Sequence, residues 1–300
     1  MMREVAVLSA PSNLGLMPPP YGSEPGVRYM AHALRQHGLV EALGAHDAGM
    51  ATPPPYAAHR EPDSQVRNGR AIRDYSLQLA SAVGELLDEG YFPLLLGGDC
   101  SILLGPMLAL RRRGNYGLLF VDGHRDFQTP QMSATGGAAG MDLALVTGRG
   151  PALLTRFDDF PALMSGEAAV ALATRDAPED DALLQEMVQA GITLLGLEAV
   201  RRLGPDAAGR SALHVLQSEG VEGFWIHLDV DVLDNAVMPA VDSPQDDGLS
   251  YGELQALLAP ALASPLAQGM QVTIYDPQRD ESGAAGEQLA RFLIALLGGA

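Results

Sequence analysis

The stretch "YGLLFVDGHRDF" (116–127) is an apolar run of strand length that ends abruptly in Asp122, His124 and Asp126. A run of Leu, Leu, Phe and Val without alternation is the pattern of a strand covered on both faces, as in a parallel sheet between helices. Runs of the same character stand at 4–9, 92–97, 168–174, 192–196, 223–230 and 270–275. Between the runs lie helical patterns at 27–37, 69–87, 101–113, 178–190, 252–262 and 285–297. Strand and helix alternate from end to end. That order predicts one doubly wound α/β domain over residues 1–300, a three-layer α/β/α sandwich around a mainly parallel sheet. Three stretches rich in Gly and Pro, 11–26, 51–62 and 129–150, are long for connections in such a fold and are candidates to line a site.

Composition narrows the function classes. The chain has 37 Asp+Glu against 19 Lys+Arg, a formal net charge of −18. Such a surface repels a phosphate backbone, so nucleic acid is not an expected partner. It favours a cationic small molecule or a bound metal. No run approaches a membrane span, and the start lacks the long apolar segment of a signal peptide. A single cysteine, Cys100, excludes an internal disulfide and fits a reducing compartment, so the expected location is cytoplasmic.

The acidic residues are not scattered. Apolar runs end in "GGDCS" (97–101), "VDGHRDF" (121–127) and "LDVDVLD" (228–234). In an open α/β sheet ligands sit outside the carboxyl ends of the strands, so these clusters are expected to converge. In extended backbone Asp122, His124 and Asp126 would project from one face, as would His227, Asp229 and Asp231. Carboxylates and an imidazole gathered on one face make a poor core and a good seat for a divalent cation. Buried carboxylates are costly unless they are paired or hold a cation.

These segments, with "HLDVDVLDNAVMPAVDSP" (227–244) and "GLSYGEL" (248–254), resemble the signatures of the arginase–agmatinase–formimidoylglutamase (ureohydrolase) family. The family patterns read approximately GGDHS, DAHxD and SxDxDxxDPxxxPGTGTP followed by GGLS. The glycine-rich start and first helix, and "TRDAPEDDAL" (174–183), are similar to the family as well. The resemblance covers essentially the whole chain. It implies an arginase-like fold with two Mn²⁺ ions bridged by hydroxide, hydrolysis of a non-peptide C–N bond in a guanidino, amidino or linear amide molecule, and a homo-oligomer. Carried over by position, it places Cys100, Asp122, His124, Asp126, Asp229 and Asp231 as metal ligands. Asp126 would also orient the attacking hydroxide.

The chain departs from the family at several positions. Cys100 replaces a histidine, and a thiolate there adds negative charge and shifts preference toward softer ions such as Zn²⁺. Cys100 can be read as a ligand, as a nucleophile with His124 as its base, or as an inert buried thiol. Ala139 and Ile274 stand where the family carries a histidine and a glutamate that handle substrate. These losses keep open an inactive, structural or regulatory subunit as the alternative function. Asp242 stands at a glycine position and is a candidate carboxylate for a cationic substrate group. His227 replaces a serine and can support a ligand, ligate directly or be structural. Tyr275, beside the lost glutamate, is a further candidate for the pocket.

Overall fold

The computed structural model describes residues 4–20, 24–175 and 181–298. The expected apolar runs become strands β1 (Val5–Ser9), β3 (Phe92–Leu96), β4 (Tyr116–Val121), β5 (Ala169–Leu172), β6 (Thr193–Leu195), β7 (Gly223–Asp229) and β8 (Ala267–Thr273). The remaining strand is β2 (His46–Met50). The sheet is eight-stranded, in the order β2-β1-β3-β8-β7-β4-β5-β6. Each of its pairings is parallel. Residues of β3 and β7 are buried along their whole length, which is why they read as unbroken apolar runs.

β2 lies at the sheet edge and is mostly exposed, so "HDAGM" carries no apolar signal to mark it as a strand. The helix Pro205–Ser218 is likewise not legible in the sequence. It buries Ala208, Gly209, Ala212 and Leu216 at helical spacing, but the residues are mostly small and make only a weakly apolar run. It packs against the helix Tyr251–Leu262, whose start is fixed by a capping box. There Ser250 Oγ accepts from Glu253 N at 3.3 Å, and Glu253 Oε2 accepts from Ser250 N at 2.8 Å. Of the expected helix at 178–190, Asp181–Gln189 is helical, and 178–180 lie outside the described residues.

Strand order brings the acidic clusters together. The chain lays down β1 and β3 in one half of the sheet and β4 to β6 in the other, then fills the gap with β7 and β8. The central quartet β3-β8-β7-β4 also ends level. Leu96 pairs with Val272, Val272 with Leu228, and Leu228 with Val121. The next residues are Gly97, Thr273, Asp229 and Asp122, so the clusters emerge side by side.

After β3 the chain must pass tightly beneath the amino-terminal loop. Asp99 Oδ2 accepts from Ser12 Oγ at 2.6 Å, and Asp99 N donates to Ser12 O at 3.2 Å. A Cβ on Gly98 would overlap the Ser12 carbonyl, so only glycine lets these backbones approach. Gly98→Ala is expected to cost about 2 kcal/mol of stability, read as a lowered denaturant midpoint. An unchanged midpoint would mean that the two loops do not pack.

Candidate metal centre

Beyond the level strand ends, short turns rather than extended backbone aim the side chains. β4 stops at Val121, and the Asp122 carboxylate folds back so that Oδ1 accepts from His124 N at 2.6 Å. β7 stops at Asp229, and a 3₁₀ turn follows over Val230–Val232. Asp229 Oδ1 caps that turn by accepting from Asp231 N at 2.8 Å. The expected strand geometry is therefore corrected for 122–126 and for Asp231, while His227 and Asp229 keep it within β7. The residues meet, but through Asx-type turns. Asp126 itself adopts φ 42°.

The turns produce two groups of candidate ligand atoms, each within 4.8 Å: Asp122, His124 and Asp231, and Cys100, Asp122, His227 and Asp229. Asp122 belongs to both. His124 Nδ1 lies 2.9 Å from Asp231 Oδ2, and Gly123 N donates to Asp231 Oδ1 at 3.1 Å. Cys100 Sγ donates to Asp229 Oδ2 at 2.8 Å and lies 3.3 Å from Thr273 Oγ1. Asp126 is in neither group. It lines, with His124, Cys100, Asp229 and Asp231, a cavity of about 300 Å³.

The electrostatics are strained in a way that a cation relieves. Burial first, then Asp122 and Asp142, push the Asp126 carboxyl well above its usual range. Burial, Asp231 and Asp122 do the same to Asp229, and burial with Asp122 to Asp142. Asp231 alone in this set is held low. Burial opposes its charge, but His124, the Gly123 N–H and Arg175 outweigh it. Burial followed by Asp229 pushes the Cys100 thiol well up, the reverse of what an activated nucleophile needs. Crowded hard oxygen donors with one imidazole and one thiol fit a pair of divalent cations, which replace the missing positive charge.

Two residues of the centre escape a reading of the sequence. Arg175 stands just beyond the end of β5. Its Nη2 donates to the carbonyls of Asp231, Leu233 and Gln245 at 2.6, 3.2 and 3.2 Å, and Nη1 to Val232 at 3.2 Å. The guanidinium thus staples the turn that presents Asp231. Asp142 is wholly buried behind Asp122 and follows the 129–141 loop. A lone arginine amid strand-end acids is the available signal for the first, and nothing local marks the second.

Asp242 lines the cavity, and burial, then Asp231, push its carboxyl up to about 6. Ile274 and Ala139 line it too. Ile274 holds φ 79°, unusual for a β-branched residue, with its N–H on the Gly98 carbonyl at 2.8 Å. Tyr275, expected at the pocket, does not line the cavity. Its side chain turns to the opposite side of the strand end, where the hydroxyl donates to Asp280 Oδ2 at 2.9 Å and abuts Gly286. Asp276 and Arg279 line the cavity instead. His227 is wholly buried, stacked on Phe120 at 4.5 Å and 7°, and burial lowers its pKa to about 3.

The Arginase family model matches residues 3–298. The chain belongs to the arginase family. It is 27% identical to an arginase of Bacillus caldovelox, over 99% of this chain and 97% of that protein. The native crystal structure of the Bacillus caldovelox arginase superposes with a TM-score of 0.87 at 28% identity, covering 100% and 99% of the two chains. A formimidoylglutamase of Bacillus subtilis shares the fold, with a TM-score of 0.77 at 19% identity over 99% and 87%. The sandwich and its parallel sheet are thus those of the family, and the chain is a metal-dependent hydrolase of non-peptide C–N bonds. Among the described residues no helix is long and apolar enough to cross a membrane.

The raised carboxyls predict how protons and cations compete. Asp126, Asp142 and Asp229 bind protons more tightly folded than unfolded. Their contribution to stability in the metal-free chain is therefore full at low pH and is lost as pH rises through their raised values. A divalent cation must displace those protons. The rise in Tm on adding Mn²⁺ is expected to be larger at about pH 8 than at about pH 5.5, read by differential scanning calorimetry. A pH-independent rise would place the cation elsewhere.

Proposed function

We propose that the chain hydrolyses a guanidino or amidino C–N bond of a small, cationic molecule at the floor of this cavity. Cys100, Asp122, His124, Asp126, Asp229 and Asp231 are the residues that would hold two divalent cations, Mn²⁺ by likeness to the family pattern. The observation that carries the reading is the set of mutually repelling carboxyls gathered beyond the level ends of β4 and β7, open to a cavity large enough for a small molecule. When bound, the cations supply Lewis acidity and lower the pKa of water so that it attacks near neutral pH.

The protein's own part is positioning and proton handling. Asp126 faces the cavity beside the residues that would hold the cations, so its carboxylate is placed to accept a proton from attacking water and return it to the departing amine. Ala139 offers no second acid or base at the family's histidine position, so the proton traffic falls on Asp126. Ile274 offers no carboxylate to a guanidinium, and Asp242 supports a relocated one. A cation docked beside Asp242 would restore its ionised form, because burial and Asp231 are what raise its pKa. Cys100 as thiolate donor makes Zn²⁺ a competitor of Mn²⁺. A homo-oligomer in the cytoplasm is the expected setting.

A screen of guanidines, amidines and linear amides with Mn²⁺, Zn²⁺ and Ni²⁺, read by released amine or ammonia, tests the reaction class. Asp126→Asn is expected to lower kcat by about 10²-fold or more while the chain still takes up cation. Asp242→Ala is expected to raise KM about tenfold, a loss of about 1.4 kcal/mol, with kcat little changed. Cation uptake without hydrolysis of any such substrate would overturn the reading.

A further inference from the structure

We infer that His227 is a positioning residue whose Nε2–H is directed at the Asp122 carboxylate, and that it is not itself a ligand of the metal centre. The inference rests on the reading of Asp122 as one of the residues that would hold the cations.

Proximity alone points the other way. His227 falls within 4.8 Å of Cys100, Asp122 and Asp229 as a candidate ligand atom. Nε2 makes no hydrogen bond, and Asp122 Oδ2 lies 3.4 Å from it. A bare nitrogen in that place would bind a cation. Which ring nitrogen carries the proton is decided by the neighbouring strand.

Trp225 Nε1 donates to Gln271 Oε1 at 3.1 Å. An indole N–H can only donate, so the oxygen of the Gln271 amide must face the indole. The NH₂ of that amide therefore faces His227 Nδ1, 2.8 Å away. An NH₂ also can only donate, so Nδ1 must present its lone pair. In a neutral imidazole the proton then resides on Nε2. A flipped amide would set its NH₂ against the indole N–H, and a flipped ring would leave the amide NH₂ without an acceptor.

The arrangement is rigid. Trp225, His227, Gln271 and Asp122 are each 0% exposed. His227 pairs with Gln271 across β7 and β8 and with Phe120 across β7 and β4, where the rings stack. Trp225, His227 and Asp229 follow at every second position of β7, which sets indole, imidazole and carboxylate on one face. Asp142 Oδ2 stands 3.9 Å from Nδ1, too far to bond it. A relay from indole to amide to imidazole thus leaves the Nε2 proton beside Asp122 Oδ2, 3.4 Å away, with no hydrogen bond closed between them in this structure. Such a donor fixes the orientation of a ligand and raises the site's affinity.

The test reads the ring directly. In the full chain carrying ¹⁵N-labelled histidine, His227 is expected to show a protonated Nε2 and a bare Nδ1, both metal-free and loaded with ¹¹³Cd²⁺. Gln271→Glu leaves an oxygen for Trp225 and offers another to the ring, so it is expected to move the proton to Nδ1. His227→Phe is expected to weaken Cd²⁺ and Mn²⁺ binding about 10–100-fold in chelator competition, with unchanged stoichiometry. His227→Gln, which keeps an N–H donor, is expected to recover most of that loss. A ¹¹³Cd coupling to Nε2 in the unsubstituted chain, or a proton on Nδ1, would overturn the inference while leaving the centre intact. A chain that takes up no cation overturns the centre itself, and His227's role with it.

Discussion

Repulsion among buried carboxylates is the constraint on which the rest of this structure depends. Four strands of a parallel sheet end level, and Asp122, Asp126, Asp142, Asp229 and Asp231 are gathered beyond them. Unpaired charges in such a place cost several kcal/mol each, or else the groups take up protons. The interior supplies little to offset this. His124 and Arg175 serve Asp231, and the carboxyls of Asp126, Asp142 and Asp229 are left raised. The sheet tolerates the cluster because its apolar strands are buried on both faces and its turns are tied by Asx-type hydrogen bonds.

The centre is built asymmetrically. On one side His124 and Asp231 form an oxygen and nitrogen seat, held by the Gly123 N–H and by Arg175 on the carbonyls of the turn. On the other side a thiol lies against Asp229 and Thr273. As a ligand, the proposed role, the softer donor would change what this half attracts without changing the fold, since Cys100 sits in the short turn that Asp99 caps. The cavity wall differs as well, with Ile274 and Ala139 apolar and Asp242 ionisable. In the proposed reading cation binding and substrate recognition fall on separate residues, which would let them diverge independently.

Much of this is legible because burial and chemistry both leave marks in sequence. Unbroken apolar runs identify the covered strands, and acidic clusters directly after them mark the site. β2 and the helix Pro205–Ser218 are illegible for the opposite reason. One is an exposed edge, and the other buries mostly small side chains whose stripe is only weakly apolar.

What the sequence determined by itself was the inventory: which residue types stand at strand ends, and that Cys100, Ala139, Ile274 and Asp242 depart from the family pattern. Only the tertiary structure decided which of them meet. Strand order and level register bring 100, 122 and 229 together although they are far apart in the chain, and no local pattern encodes register between strands. It also turned Tyr275 away from the cavity. A proton's place on His227 depends on Trp225 and Gln271, and Gln271 lies on a neighbouring strand. Hydrogen-bond direction is a property of neighbours in space, and only the folded chain supplies them.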